Sequence, residues 1–277
     1  MSLQKRRLGK TGVEVTILGL GGEGVLRTFG HAKEAYQVIN RALDLGITYC
    51  ESARAYSGSE AYYGMALKER RKDVFLTSKS HARSDQGALE HLSETLKSMK
   101  TDHLDLWQVH DVRTEDDIEE IFGKGGAIEA FYRAKEKGLT RFIGVTGHHD
   151  PLILRKCIEL FDFDTVLIPV NPAEPSYKSF IDSVIPLARE KQMGIIGMKV
   201  YFRGLAARLT QLASLDQFYR FVLSQDISTA VIGCDTVAHV EENVRFAEMF
   251  RPLDHREQDF LIAAVQPYAR RLMYYKE

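Results

Sequence analysis

The sequence predicts a closed (β/α)8 TIM barrel with an N-terminal β-hairpin and a C-terminal helix. Three observations carry this. Short apolar, β-branched runs alternate with stretches of helical periodicity along all 277 residues, and such alternation implies parallel strands joined by right-handed crossovers. The strand-like runs number eight, which at this length fits a closed barrel better than an open doubly wound sheet. No Pro/Gly/Ser-rich linker or break in composition divides the chain, so residues 1–277 are expected to form one barrel domain.

The elements follow in order. Arg7 to Val15 holds Gly9 and Thr11-Gly12 between short polar and β-branched runs and reads as a hairpin ahead of the barrel. Thr16–Leu20 reads as the first barrel strand, ending in a turn at Gly21-Gly22-Glu23-Gly24. That turn lacks the third glycine spacing and the long helix directly behind it that a Rossmann fingerprint requires. The remaining strands are Ile47–Cys50, Val74–Lys79, Leu104–His110, Phe142–Thr146, Thr165–Val170, Gly194–Lys199 and Thr229–Ile232. Between them lie helical patterns such as Ala35, Val38, Ile39, Ala42 and Leu43, or Leu89, Leu92, Leu96 and Met99. Asp150-Pro151 supplies an N-cap and a first-turn proline for the helix after the fifth strand. Asp254 to Arg271 reads as a helix with Phe260, Leu261, Ala264 and Val265 on one face, packed across the outside of the barrel or near its mouth.

Composition narrows the function. With 37 basic against 38 acidic residues and a formal net charge of −1, and with no long charged block, nothing points to nucleic acid or an anionic membrane. The expected partner is a small molecule. No apolar run approaches the roughly 18 to 20 residues a membrane helix needs, and Met1-Ser2-Leu3-Gln4-Lys5 lacks a signal-like apolar segment, so a cytoplasmic location is expected. The three cysteines, Cys50, Cys157 and Cys234, lie far apart, form no C-x-x-C pair and read as small apolar residues. His148-His149-Asp150 invites a metal reading, but adjacent histidines on an extended run point to opposite faces, so no metal is expected there. Nothing in the sequence bears on oligomeric state.

Chemistry concentrates where strands end, since ligands of parallel barrels meet the carboxyl ends of the strands. Glu51, with Tyr56 just beyond it, closes the second strand; Lys79 closes the third and His110 the fourth. Period-2 alternation puts His110 on the face of Gln108 and Leu106, leaving Trp107 to pack beneath helices. A carboxylate, a phenol, an ammonium and an imidazole on neighbouring strand ends suit proton transfer to an oxygen. A phenol has an ordinary pKa near 10; the ammonium of Lys79, held by Glu51, is expected to draw that of Tyr56 down.

The run from Leu45 through Glu60, followed by Gly64, Ala66 and Leu67, resembles the signature segment of the aldo-keto reductases, where a strand ends in Asp-Thr-Ala-x-x-Tyr-Gly-x-Ser-Glu and a helix begins. Val74–Lys79 is similar to that family's lysine-bearing strand, Leu104–His110 to its histidine-bearing strand, and Phe142–Thr146 to its Gly-Val-Ser-Asn strand end. The resemblance implies a nicotinamide-dependent reductase of aldehydes or ketones. By that similarity the catalytic tetrad falls on Glu51, Tyr56, Lys79 and His110, with Tyr56 as the proton donor and nicotinamide C4 as the source of hydride. This chain departs from the pattern in places. Glu51 stands for the family's aspartate, Ser52 for threonine and Ser57 for glycine; Gly147 stands where an asparagine helps hold the nicotinamide carboxamide. The glutamine usual on the sixth strand is missing, although Asn171 matches the asparagine at its end.

By the same resemblance the cofactor-binding residues are Gly22, Thr146, Gly147, Asn171, Lys199, Tyr201, Arg203, Gly204, Gly233, Asp235, His239, Glu242 and Asn243. Lys199 and Arg203 suit a pyrophosphate, and Gly204 permits close backbone approach. The helix after the eighth strand offers free amides to an anionic group. The resemblance implies NADPH, whereas Asp235 would repel a 2′-phosphate and leaves NADH possible. Two other readings are a cofactor-binding sensor with little turnover and a Schiff-base enzyme using Lys79 or Lys199.

Overall fold

The computed structural model describes residues 3–276. Ten strands and twelve α-helices alternate along them. Strands β1 (Lys5–Arg7) and β2 (Glu14–Thr16) pair antiparallel as the expected hairpin, Arg6 opposite Val15. The eight barrel strands are β3 (Leu18–Gly24), β4 (Tyr49–Glu51), β5 (Phe75–Ser80), β6 (Leu104–Val109), β7 (Thr140–Thr146), β8 (Thr165–Pro169), β9 (Gly194–Met198) and β10 (Thr229–Cys234). Each pairs in parallel with the next, and β10 closes the barrel on β3. Several boundaries shift from the expectation: Thr16 falls in β2, β4 starts at Tyr49, His110 lies just beyond β6 and β10 runs on to Cys234. Gly21, Gly22 and Gly24 belong to β3 rather than to a turn, because close packing leaves no room for side chains: a Cβ on Gly22 would lie 2.6 Å from Ser59 Oγ and 2.9 Å from the Tyr56 ring.

The helices wrap the barrel and bury the stripes that their periodicity marks. Helix α1 (Ala32–Asp44) buries Ala35, Val38, Ile39, Ala42 and Leu43. The next are α2 (Ser59–Ala66) and α3 (Asp85–Met99), of which α3 is N-capped by Ser84. After β6 come α4 (Glu115–Phe122), with a capping box from Thr114 and Asp117, and α5 (Ala127–Glu136). Helix α6 (Pro151–Leu160) starts as expected: Asp150 Oδ1 accepts from Leu152 N at 2.9 Å, with Pro151 in the first turn. Short α7 (Phe180–Ser183) and α8 (Ile185–Glu190) cross to β9; α9 (Leu215–Ser224) and α10 (Val237–Glu248) flank β10.

Two cores form. Inside the barrel, Tyr49, Phe75, Leu106, Leu167, Ile196 and Val231 pack together, and Leu8 and Val15 of the hairpin plug the end where the strands begin. The Tyr49 and Phe75 rings stack at 5.6 Å and those of Phe75 and Phe142 at 6.2 Å. Between strands and helices lies the larger core. Trp107 faces it as alternation requires, fully buried and stacked on Phe131 of α5 at 3.7 Å. The three cysteines are buried and unpaired, and burial pushes each thiol up to about 12.

The C-terminal segment corrects one detail. Helix α11 (His255–Val265) buries Leu261 and Val265, but Phe260 is 61% exposed. Gln258 of α11 meets Gln225 beyond α9 at 2.9 Å, which holds the helix on the outside of the barrel. The chain then turns through α12 (Ala269–Leu272) to bring Tyr275 and Lys276 to the barrel mouth. Among the described residues, no helix is long and apolar enough to cross a membrane.

Candidate active site

The barrel delivers the four strand-end residues to one place. Glu51 ends β4, Lys79 lies next to last on β5, and His110 follows β6 directly. Lys79 and Glu51 form a direct ion pair, both side chains almost wholly buried. The Lys79 ammonium also donates to Ser52 O at 2.8 Å, and Glu51 Oε2 accepts from Gly22 N at 3.2 Å. Tyr56 sits in the turn between β4 and α2, fixed by its own amide to Ala53 O at 2.9 Å. Its ring lies 4.8 Å from Lys79 Nζ and meets the His110 ring edge-on at 6.0 Å.

Electrostatics differ from the expectation at the phenol. Burial pushes the Tyr56 pKa up, and the carboxylates of Glu23 and Asp111 add to this; Arg27 and Arg203 oppose it without prevailing. The drawdown expected from Lys79 is not found, because desolvation of the phenolate outweighs the neighbouring charge. Burial also holds Lys79 well below the usual lysine range, with Glu23 opposing. His110 is held well below the ordinary imidazole value by burial and by Lys79, which keeps it neutral.

A cavity of about 510 Å³ opens beside this group, within the roughly 300–1,000 Å³ typical of small-molecule sites. Glu51 and Tyr56 line one end. Lys199, Tyr201, Arg203, Gly204, Gly233, Asp235, His239, Glu242 and Asn243 line the rest, so nine of the residues expected at a cofactor share one groove. The segment after β9 is shaped for this: Lys199, Phe202, Arg203 and Gly204 all have positive φ, which folds the chain into a tight cradle. Tyr201 donates to Asn243 Oδ1 at 2.8 Å, and the Asp235 amide meets His239 Nδ1 at 3.4 Å. Gly22 packs against the Tyr56 ring but, unlike its neighbours Gly21 and Glu23, does not line the cavity.

Three expected cofactor residues stand apart. The Thr146 hydroxyl accepts from Asp111 N at 2.8 Å, and Gly147 packs under Val112 O. Asn171 is buried and committed: its Nδ2 donates to Tyr275 Oη at 3.0 Å and its Oδ1 accepts from Ala173 N at 3.1 Å. None of the three lines the cavity.

Other charged residues at the mouth were not among the expected site residues. Glu23 sits at the centre of the cationic groups, with Arg27 at 3.2 Å, Lys199 at 3.6 Å and Arg203 at 3.7 Å. Burial alone would raise its pKa, but Lys199, Arg203 and Arg27 bring it below the usual carboxylate value. Arg27 also stands over the Tyr56 ring at 5.3 Å. Glu60 is buried and accepts from Ser78 Oγ and Thr95 Oγ1, both at 2.7 Å, and from Arg54 at 3.0 Å, bracing α2 against β5 and α3. An acidic residue inside a glycine-rich strand end was the available signal for Glu23. The histidines depart most from expectation. The chain bends at 148–149, so both imidazoles fall on one side and approach Asp111 rather than pointing apart.

Comparisons with known proteins bear on the family of this chain. Residues 17–214 match the model of the "Aldo/keto reductase family". An uncharacterized oxidoreductase, YqkF of Bacillus subtilis, is 26% identical over 73% of this chain and 66% of its own length. L-galactose dehydrogenase of Arabidopsis thaliana is 24% identical over 87% of each chain. Among solved structures, the holo form of aldo-keto reductase AKR11C1 from Bacillus halodurans superposes with a TM-score of 0.81 at 22% identity, covering 95% of this chain and 96% of that one. An aldo-keto reductase from Klebsiella pneumoniae in complex with NADPH gives 0.76 at 18% identity, covering 97% and 96%. With the family model spanning most of the barrel, this chain belongs to the aldo/keto reductase family and is an NAD(P)H-dependent oxidoreductase.

Proposed function

We propose that this protein reduces the carbonyl of a small aldehyde or ketone, using NADPH, with Tyr56 as the general acid. The observation that carries the reading is the placement of the Tyr56 ring 4.8 Å from the Lys79 ammonium and 6.0 Å from the His110 ring, at the inner end of the groove.

The groove fits a dinucleotide in its donor set. Lys199 and Arg203 are cations that can turn from Glu23 to a pyrophosphate, and Gly204 leaves space for backbone approach. When bound, a reduced nicotinamide supplies the hydride for the carbonyl carbon. The residues of this chain do the rest. Tyr56 stays protonated because burial disfavours its phenolate, so its hydroxyl holds the proton that the more basic developing alkoxide takes. Lys79, held by Glu51 and Ser52 O, stands by to stabilise the phenolate that results. His110 orients the carbonyl oxygen toward Tyr56.

NADPH is proposed over NADH because a relative carries NADP(+) in its name, the aldo-keto reductase yakc of Schizosaccharomyces pombe, 27% identical over 71% of this chain. The Klebsiella pneumoniae complex holds the same nucleotide. Parallel calorimetric titrations with NADPH and NADH test the choice; tighter NADH binding would reverse it and give the Asp235 carboxylate the deciding role.

Loss of cofactor absorbance on addition of a panel of simple aldehydes is the activity test. Tyr56→Phe is expected to lower turnover by about 10²- to 10⁴-fold with binding of NADPH retained. Equal turnover in the variant removes Tyr56 from the role, and tight nucleotide binding without turnover in the parent favours the sensor reading.

A further inference from the structure

We infer that Asp111, His148 and His149 form a binding site for one divalent transition-metal ion, at the rim of the barrel beside the groove. The three offer one carboxylate oxygen and two imidazole nitrogens, all within 4.8 Å of one another. They come from two loops, the one after β6 and the one after β7, and none of them lines the dinucleotide groove. The site is therefore distinct from the groove lining, although Asp111 directly follows His110.

The arrangement has more donors than the protein's own contacts use. His148 Nδ1 lies 3.0 Å from Asp111 Oδ1 and His149 Nε2 lies 3.7 Å from the same oxygen. A simple ion pair would account for the first imidazole. It leaves the second, whose Nε2 is buried without a hydrogen-bond partner, as is Asp111 Oδ1 itself. Two ring nitrogens this close to one carboxylate oxygen can share a cation with it. Their separations bracket the edge of roughly 3.3 Å expected between ligands of a tetrahedral ion at about 2.0–2.1 Å.

The surroundings fix the ligands as supporting groups around metals do. The other carboxylate oxygen, Asp111 Oδ2, accepts from Arg113 Nε at 2.8 Å and from its Nη2 at 2.5 Å, which leaves Oδ1 facing the imidazoles. The Asp111 amide is tied to Thr146 Oγ1 at 2.8 Å, and its φ of +56° turns the side chain from the strand direction. The His148 and His149 rings stack obliquely at 4.5 Å, and Tyr275 covers His148 edge-on at 6.1 Å.

The donor set chooses the ion. Two nitrogens and one oxygen suit Zn²⁺, Co²⁺, Ni²⁺ or Fe²⁺ and not Mg²⁺ or Ca²⁺, which take all-oxygen shells. Three protein ligands leave at least one position for water or an oxygen-bearing ligand.

Calorimetric titration of the chelator-treated full chain with Zn²⁺, Co²⁺ and Mg²⁺ tests this. Expected are one Zn²⁺ or Co²⁺ per chain, a visible Co²⁺ absorption band and no response to Mg²⁺. Each of His148→Ala, His149→Ala and Asp111→Asn is expected to weaken binding by at least about tenfold. Circular dichroism checks that each variant is folded, and His149→Gln serves if the alanine variant is not. A Zn²⁺-dependent rise in the melting temperature of the parent is expected as well, since an ion that binds only the native state stabilises it. No binding by the parent, binding unchanged in all the folded variants, or Mg²⁺ binding as tightly as Zn²⁺ would each overturn the assignment.

Discussion

Two buried carboxylate–ammonium pairs stand at the mouth of this barrel, and they are built differently. Glu174 and Lys276 are saturated: Lys276 donates to Glu174 Oε2 at 2.7 Å, Tyr177 O at 2.9 Å and Lys178 O at 2.8 Å. Glu174 takes the Tyr275 hydroxyl at 2.9 Å and Phe180 N at 3.1 Å besides. Burial raises the carboxyl and lowers the ammonium, so the charges persist only because every ammonium proton and both carboxylate oxygens have partners. Glu51 and Lys79 are equally buried, but their pair borders a cavity and the ammonium faces the Tyr56 ring. A saturated pair can only hold the chain together. A pair with one side open can respond to charge that appears beside it.

That contrast can be broken by mutation. The largest effect is expected at the open pair, in catalysis: Lys79→Met should reduce turnover by about 10²- to 10⁴-fold, as loss of a group supporting proton transfer does. Its cost in urea unfolding should be smaller than that of the corresponding change at the closed pair. Next, Lys276→Met leaves Glu174 buried without its cation and should destabilise the fold by about 3–5 kcal/mol, measured by chemical denaturation. A larger stability loss from Lys79→Met than from Lys276→Met would reverse the distinction.

Glu51→Asp sharpens it further. Removing one buried methylene should cost about 1 kcal/mol in unfolding experiments, while the ion pair to Lys79 survives at a new distance. Turnover that rises in this variant would mean the longer side chain is a handicap to the chemistry. Turnover that falls would mean that Gly22 N and the rim have adapted to glutamate.

The smallest effect belongs to an exposed pair, which serves as a reference. Hydrogen bonds from Arg251 and the Asp254 amide hold Glu257 down at about 2. A depressed carboxylate stabilises above its ordinary value near 4.3 and loses that contribution as pH falls through the folded value. The melting temperature of Glu257→Gln should therefore match the parent's near the acid end and fall slightly below it at higher pH. Solvent screening keeps the difference small.

Legibility in the sequence follows contact distance. The alternation of runs, the amphipathic stripe of α1, the Asp150 cap and the outward Trp107 are set by residues a few positions apart, and all were readable. Glu51, Lys79 and His110 were readable for a related reason: in a parallel barrel every strand ends on one rim, so order along the chain becomes adjacency in space. Asn171 shows the limit. As a strand-end amide it matched a cofactor ligand, yet Tyr275, 104 residues away, takes its side chain. The Tyr56 phenol shows another, since its nearest charge was foreseeable and its desolvation was not.

Taken alone, the sequence determined the barrel, its hairpin plug and which strand ends carry acid, amine and imidazole, because backbone periodicity and strand polarity are properties of local order. Tertiary structure decided the rest. It brought Lys276 back across 102 residues to Glu174, bent 148–149 so that two imidazoles meet Asp111, and set Glu23 among three cations. Those contacts join segments whose separation in the chain carries no periodic signal, and only the packing of side chains into a shared volume selects them.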